Sequence, residues 1–154
     1  YVAGLSLRDI ADVFEIRRAL EGLAAELAAD RITDEELENL ERYLVIISEQ
    51  IEAGNLEEVV QTDTDFHTLL YQASRNNRLS QIINNLREQI QRFRTTSLSY
   101  PGRMKAALEE HRKIVEAISS RDGELARRIA QEHIENAENS LMSMIQQDKE
   151  NGGI

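Results

Sequence analysis

The chain has 154 residues, 41% of them hydrophobic, which is enough to bury the core of one domain without staples. It has no cysteine, which excludes disulfides, thiolate metal sites and a cysteine nucleophile. A net charge of −10 makes these residues poor partners for a phosphate backbone, and no run approaches the roughly 20 apolar residues of a membrane span.

One proline, seven glycines and few aromatics, without strand alternation, predict an all-α chain. The first helix is expected from about Ser6 to Ala29, with Ile10, Val13, Ile16, Leu20, Leu23 and Leu27 on its inward stripe. Thr33 and Glu36 match a capping box that opens a second helix, and Gly54 suits the left-handed position that closes it. Asn55 offers a cap for the third helix, which reaches about Ser74. Asn76-Asn77 breaks the pattern before a fourth helix carrying Leu79, Ile83, Leu86, Ile90 and Phe93. Pro101 suits a first helical turn but not an interior, so Tyr100-Pro101-Gly102 separates the fourth helix from a fifth ending at Ser119 or Ser120. A sixth runs from about Asp122 to Gln147, and the tail Asn151–Ile154 is expected to fray. Short connections and no internal repeat predict one antiparallel bundle of about six helices.

Ionisable residues fall on three of these core stripes. In the third helix the stripe is Val59/Val60, Asp63, Phe66/His67 and Leu70; Asp63 and His67 are four apart and share a face, whereas Asp65 points elsewhere. His111 falls between Ala107/Leu108 and Ile114/Val115, and His133 between Ala130 and Ala137. The chain has three histidines, so all of them are core-facing. Each alone could be a hydrogen-bonded core residue, with Asp63 and His67 a structural ion pair. Burying a carboxylate and three imidazoles costs several kcal/mol unless each finds a partner. One divalent ion at their convergence would satisfy all four, and nitrogen-rich donors suit zinc, nickel, manganese or iron. Paired Glu-x-x-His motifs, His-Glu-x-x-His and a glycine-rich phosphate loop are absent, so nothing specifies catalysis.

Four segments resemble the FCD domain, the effector-sensing half of FadR-type regulators in the GntR family. These are "FEIRRALEGLAAELAADRIT" with Arg17 and Glu21, "DTDFHTLLYQASRNNRL" with its D-x-x-F-H pattern, "EEHRKIVEAISSRDGELARR", and "AQEHIENA" with His133. They span nearly the whole chain in the family's order, so residues 1–154 are expected to form one FCD-type ligand-binding domain. Six helices rather than seven favours the VanR-like branch. The resemblance implies a homodimeric bundle that binds a small carboxylate effector in a central cavity, with one divalent metal per chain on Asp63, His67, His111 and His133.

The family places a winged helix-turn-helix before this domain. Because the chain opens on Tyr1, a fragment of a longer protein is expected, with operator DNA contacted only through that missing segment. The expectation is therefore a cytoplasmic, ligand-responsive transcriptional regulator and not an enzyme, with no membrane partner. A metal-dependent enzyme with Glu110 beside the metal, or a purely structural helical dimer, are the alternatives.

Arg17 and Arg94 are the candidate contacts to an effector carboxylate, because a guanidinium fork matches its two oxygens. Arg17 could equally pair with Glu21 at i+4. Arg94 could lie on a solvated face with Arg87 and Arg92.

Overall fold

In the computed structural model, residues 6–150 are described, and they form seven α-helices and no strand. These are α1 (Leu7–Arg31), α2 (Asp34–Glu52), α3 (Leu56–Ala73), α4 (Asn77–Asn84), α5 (Arg87–Leu98), α6 (Arg103–Ser119) and α7 (Gly123–Glu150). Tyr1 and the tail from Asn151 lie outside the described residues.

Local chemistry sets most boundaries. Thr33 Oγ1 accepts from Glu36 N and Glu36 Oε1 accepts from Thr33 N, the reciprocal box expected from the sequence. Ser6 and Asp9 form the same box at the start of α1. Gly54 sits at φ 70°, where it lets Asn55 N reach back to Gln50 O and close α2. Asn55 and Asn76 cap α3 and α4 through Glu58 N and Leu79 N. Pro101 lies in the turn just before α6, and Gly102 at φ 82° redirects the chain into it.

The structure corrects two expectations. The predicted fourth helix is two helices, α4 and α5, broken at Asn85-Leu86. Leu86 takes φ −101° and ψ 6°, outside the helix, while its side chain still packs with Leu79, Ile83 and Ile90. The apolar spacing therefore runs through the break, and two consecutive asparagines, weak helix formers, supply it. With seven helices, the count that favoured the VanR-like branch no longer does so.

The second correction concerns the face of α1. Its buried side is Ile10, Phe14, Arg17, Glu21, Ala24/Ala25 and Ala28, whereas Ile16 and Leu23 are exposed and Leu20 and Leu27 half-buried. Alanines decide this. Ala25, Ala28 and Ala29 meet Ala126 and Ala130 of α7, so the two long helices approach closely along their small-residue faces.

The other helices bury the stripes expected of them. Phe66, Leu70, Ile114 and Ile118 join the alanine cluster at one end of the bundle; Phe14, Phe93, Ile134 and Leu141 form a second cluster. Phe66 from the first cluster, and Phe14 and Phe93 from the second, abut a buried polar centre.

Candidate metal centre

Helix α3 supplies Asp63 and His67 one turn apart, α6 supplies His111 and α7 supplies His133, and all four are buried. The three imidazoles offer ring nitrogens that lie within 4.8 Å of one another. His111 Nε2 is 3.2 Å from His133 Nε2 and 3.3 Å from Asp63 Oδ1. His67 Nε2 is 3.7 Å from Asp63 Oδ2. Metal bonds of about 2.0–2.1 Å put adjacent donor atoms about 2.8–3.4 Å apart on an octahedral or tetrahedral shell. Asp65, the rejected neighbour, instead accepts from Gln61 Nε2.

A gap of about 20 Å³ lies among Asp63, His67, His133 and Arg94, room for one ion or water. The three imidazoles fit a borderline divalent ion, and the Asp63 carboxylate lies 3.3 Å from His111 Nε2.

A second layer orients this set. Glu110 Oε1 lies 2.6 Å from His133 Nδ1, and the same carboxylate accepts from Arg103 Nη1 at 2.8 Å, Arg103 Nη2 at 2.6 Å and Asn136 Nδ2 at 3.0 Å. A proton held at Nδ1 leaves His133 Nε2 with its lone pair facing the centre. Glu21 does related work from α1: Oε1 is 3.4 Å from His67 Nδ1 and accepts from Tyr71 Oη at 2.8 Å, while Oε2 accepts from Arg17 Nη2 at 3.1 Å. The 3.4 Å contact is not aligned as a hydrogen bond, and His67 Nδ1 and His111 Nδ1 are both buried without one among the described residues. His111 is held by packing instead, its ring stacked on Phe66 at 4.5 Å.

Charge in this centre is paired. Arg17 faces Glu21, Arg94 Nε lies 2.8 Å from Asp63 Oδ2, and Arg103 grips Glu110. Burial raises the Asp63 carboxyl, but His111, His67 and Arg94 outweigh it and hold the group at about 2. Burial likewise opposes ionisation of Glu110, which His133 and Arg103 nevertheless hold at about 2. Burial pushes His111 well below its ordinary value and lowers His133 too. At neutral pH His111 and His133 are therefore uncharged, the form that ligates metal.

The sequence-derived candidates occupy different parts of this arrangement. Asp63, His67, His111 and His133 come together; Arg17 and Arg94 line the same gap. Arg94 is buried and not on a solvated face. Glu110 is not a free base beside the metal position, because Arg103, Asn136 and His133 occupy its oxygens. Sequence reasoning missed Arg103 and the position of Glu21 beside His67. Arg103 and Glu110 are seven residues apart on α6, a same-face spacing that could have signalled the pair.

Comparison with known proteins places this geometry in context. The FCD domain family model matches residues 12–136. The HTH-type transcriptional regulator YdhC of Bacillus subtilis is 28% identical over 97% of this chain and 67% of its own length. A Streptococcus agalactiae GntR structure is 29% identical, with a TM-score of 0.72 over 86% of this chain and 58% of that one. The E. coli McbR/YncC structure shares the fold, with a TM-score of 0.80 at 21% identity over 92% of this chain and 70% of that one. The chain thus spans about two thirds of the curated relatives it matches.

Proposed function

We propose a function from one established premise: this chain belongs to the FCD domain family. In this reading it is the effector-sensing part of a bacterial transcriptional regulator, as the printed names of its relatives suggest. Asp63, His67, His111 and His133 hold one divalent ion, zinc, nickel, manganese or iron, and a small carboxylate effector binds at it. The ion supplies a Lewis-acidic anchor for that carboxylate. The observation that carries the reading is the convergence of three buried imidazoles, with the Asp63 carboxylate 3.3 Å from His111, beside a small gap lined by Asp63, His67 and His133.

Charge balance favours an anionic effector. Three arginines already neutralise three carboxylates around the centre, so a divalent ion leaves two positive charges without a partner. In a desolvated cavity that excess favours an anion strongly. Arg17 and Arg94, both at the gap, are placed to orient it.

The regulator would act by linkage. An effector that binds one arrangement of the bundle better than another shifts the spacing of two DNA-reading domains across a homodimer. The apolar stripe of Ile16, Leu20, Leu23 and Leu27 on α1, with exposed Ile82 on α4, supports self-association. Operator DNA would be read by an N-terminal domain outside this sequence, in the cytoplasm. No helix of the described residues is long and apolar enough to cross a membrane. A hydrolytic enzyme is disfavoured because Glu110, its candidate base, is already held by Arg103 and Asn136.

Elemental analysis of protein purified without chelator or added metal tests the reading. One ion per chain is expected. Fewer than one per two chains would argue against it.

A further inference from the structure

Beside the metal centre, α3, α4 and α5 enclose a cavity of about 320 Å³ that runs from buried His67 and Arg94 to exposed Arg87. It is far larger than the gap at the histidines and shares His67 and Arg94 with it. Its composition is unlike that of the chain as a whole. The chain carries 28 acidic against 18 basic residues, yet two arginines and no carboxylate line this wall. The remaining polar lining is uncharged, including Thr68 and Gln72 of α3 and Gln81 and Asn84 of α4. Ile83 and Ile90 give it an apolar floor.

The two arginines differ in what already occupies them. Arg94 has Nε against Asp63 and donates Nη1 to Thr64 Oγ1 at 2.9 Å, while its Nη2 makes no hydrogen bond among the described residues. Arg87 makes no ion pair or side-chain hydrogen bond among the described residues. The two are seven residues apart on one face of α5, about 10 Å along the axis at 1.5 Å per residue. Gln91 lies between them and is tied to Thr64, which braces the inner end.

We propose that this cavity holds an elongated organic acid with two anionic ends, one near Arg94 and the metal centre and the other on Arg87. The inference rests on the carboxylate-sensing function and adds the second charge, its site and the residue that selects it. A carbon chain lies over Ile83 and Ile90, and amides and hydroxyls accept or donate along its length without repelling it. The guanidinium fork of Arg87 at the outer end, with Arg94 Nη2 at the inner one, distinguishes a diacid from a monoacid of equal length.

Calorimetric titration of the 154-residue chain with hexanoate and adipate, each with added zinc and again with chelator, tests the subsite. Adipate is expected to bind about tenfold more tightly than hexanoate, the scale of one charge-assisted contact. Arg87→Ala should reduce adipate to the affinity of hexanoate, and Arg87→Lys should keep part of the difference. Equal binding of the two acids, no detectable adipate binding at millimolar concentration, or an adipate preference indifferent to Arg87→Ala would overturn the proposal. Zinc content measured on the same samples separates the two readings. A zinc-loaded chain that treats both acids alike loses only the subsite; a chain without metal that keeps an Arg87-dependent preference loses only the metal.

Discussion

Glu110 Oε1 faces His133 Nδ1 at 2.6 Å, and this contact sets which nitrogen of the ring looks inward. Glu110 is ionised far below neutrality and can only accept, so Nδ1 carries the proton and Nε2 presents a lone pair 3.2 Å from His111 Nε2. An ion bound at the centre would meet this ligand already oriented. Replacing Glu110 with glutamine or alanine is expected to weaken zinc binding about 10–100-fold. Competition with a chromogenic chelator measures this, with circular dichroism confirming intact helices. Unaltered affinity in Glu110→Ala would remove the orienting role.

Metal binding should stabilise the fold by mass action. Zinc at about 100 times its Kd adds about 2.7 kcal/mol, and chelator removes it. His111→Ala should abolish most of the zinc-dependent rise in Tm, because it deletes the imidazole that links Asp63 to His133. A Tm indifferent to both chelator and zinc would favour a purely structural bundle.

Acid should destabilise the metal-free chain. His111 and His133 are held below their ordinary value of 6.5, burial being the first cause in each. The unfolded chain takes up protons as pH falls through that value while the folded chain resists them. Their contribution is therefore present above pH 6.5 and is lost as pH falls towards the folded values. Asp63 and Glu110, also depressed, act in the same direction at lower pH, down to about 2. Urea midpoints at pH 7 and pH 5 check this; a higher midpoint at pH 5 would contradict it.

Arg94 is 8% exposed and faces Asp63, itself 5% exposed. Arg94→Ala strands a buried carboxylate and should cost about 3–5 kcal/mol in the absence of metal. A divalent ion supplies the missing positive charge, so zinc should raise the Tm of Arg94→Ala more than that of the parent chain. Equal rises in thermal scans would mean that the ion and Arg94 do not share Asp63.

The exposed stripe on α1 gives a prediction about assembly. Ile16→Glu combined with Leu23→Glu should convert a dimer to a monomer by light scattering, with helicity unchanged. Both side chains are exposed in the protomer, at 45% and 37%, so folding of the single chain does not need them. A variant that stays dimeric would place the interface elsewhere.

Helix ends and the polar centre were legible in the sequence to different degrees. The Thr33 box, Gly54 and the Asn55 cap are contacts between near neighbours, so residue order alone determines them. Asp63, His67, His111 and His133 could be picked out because each interrupts an apolar stripe on its own helix. The break at Asn85-Leu86 was hidden because Leu86 packs equally well from a helix or from a turn.

What the sequence determined by itself was the helical class, most caps, the inward set of four polar residues and the family resemblance, all expressed within single helices. Only the tertiary structure decided which side of α1 faces in. Periodicity marks a stripe, but the partner's shape selects it, and here alanines against α7 outcompeted the larger Ile16 and Leu23. The pairing of Arg94 with Asp63 and of Glu110 with His133, and the cavity between α3, α4 and α5, likewise join side chains from different helices. Their distances follow from how helices pack, which no spacing along one helix contains.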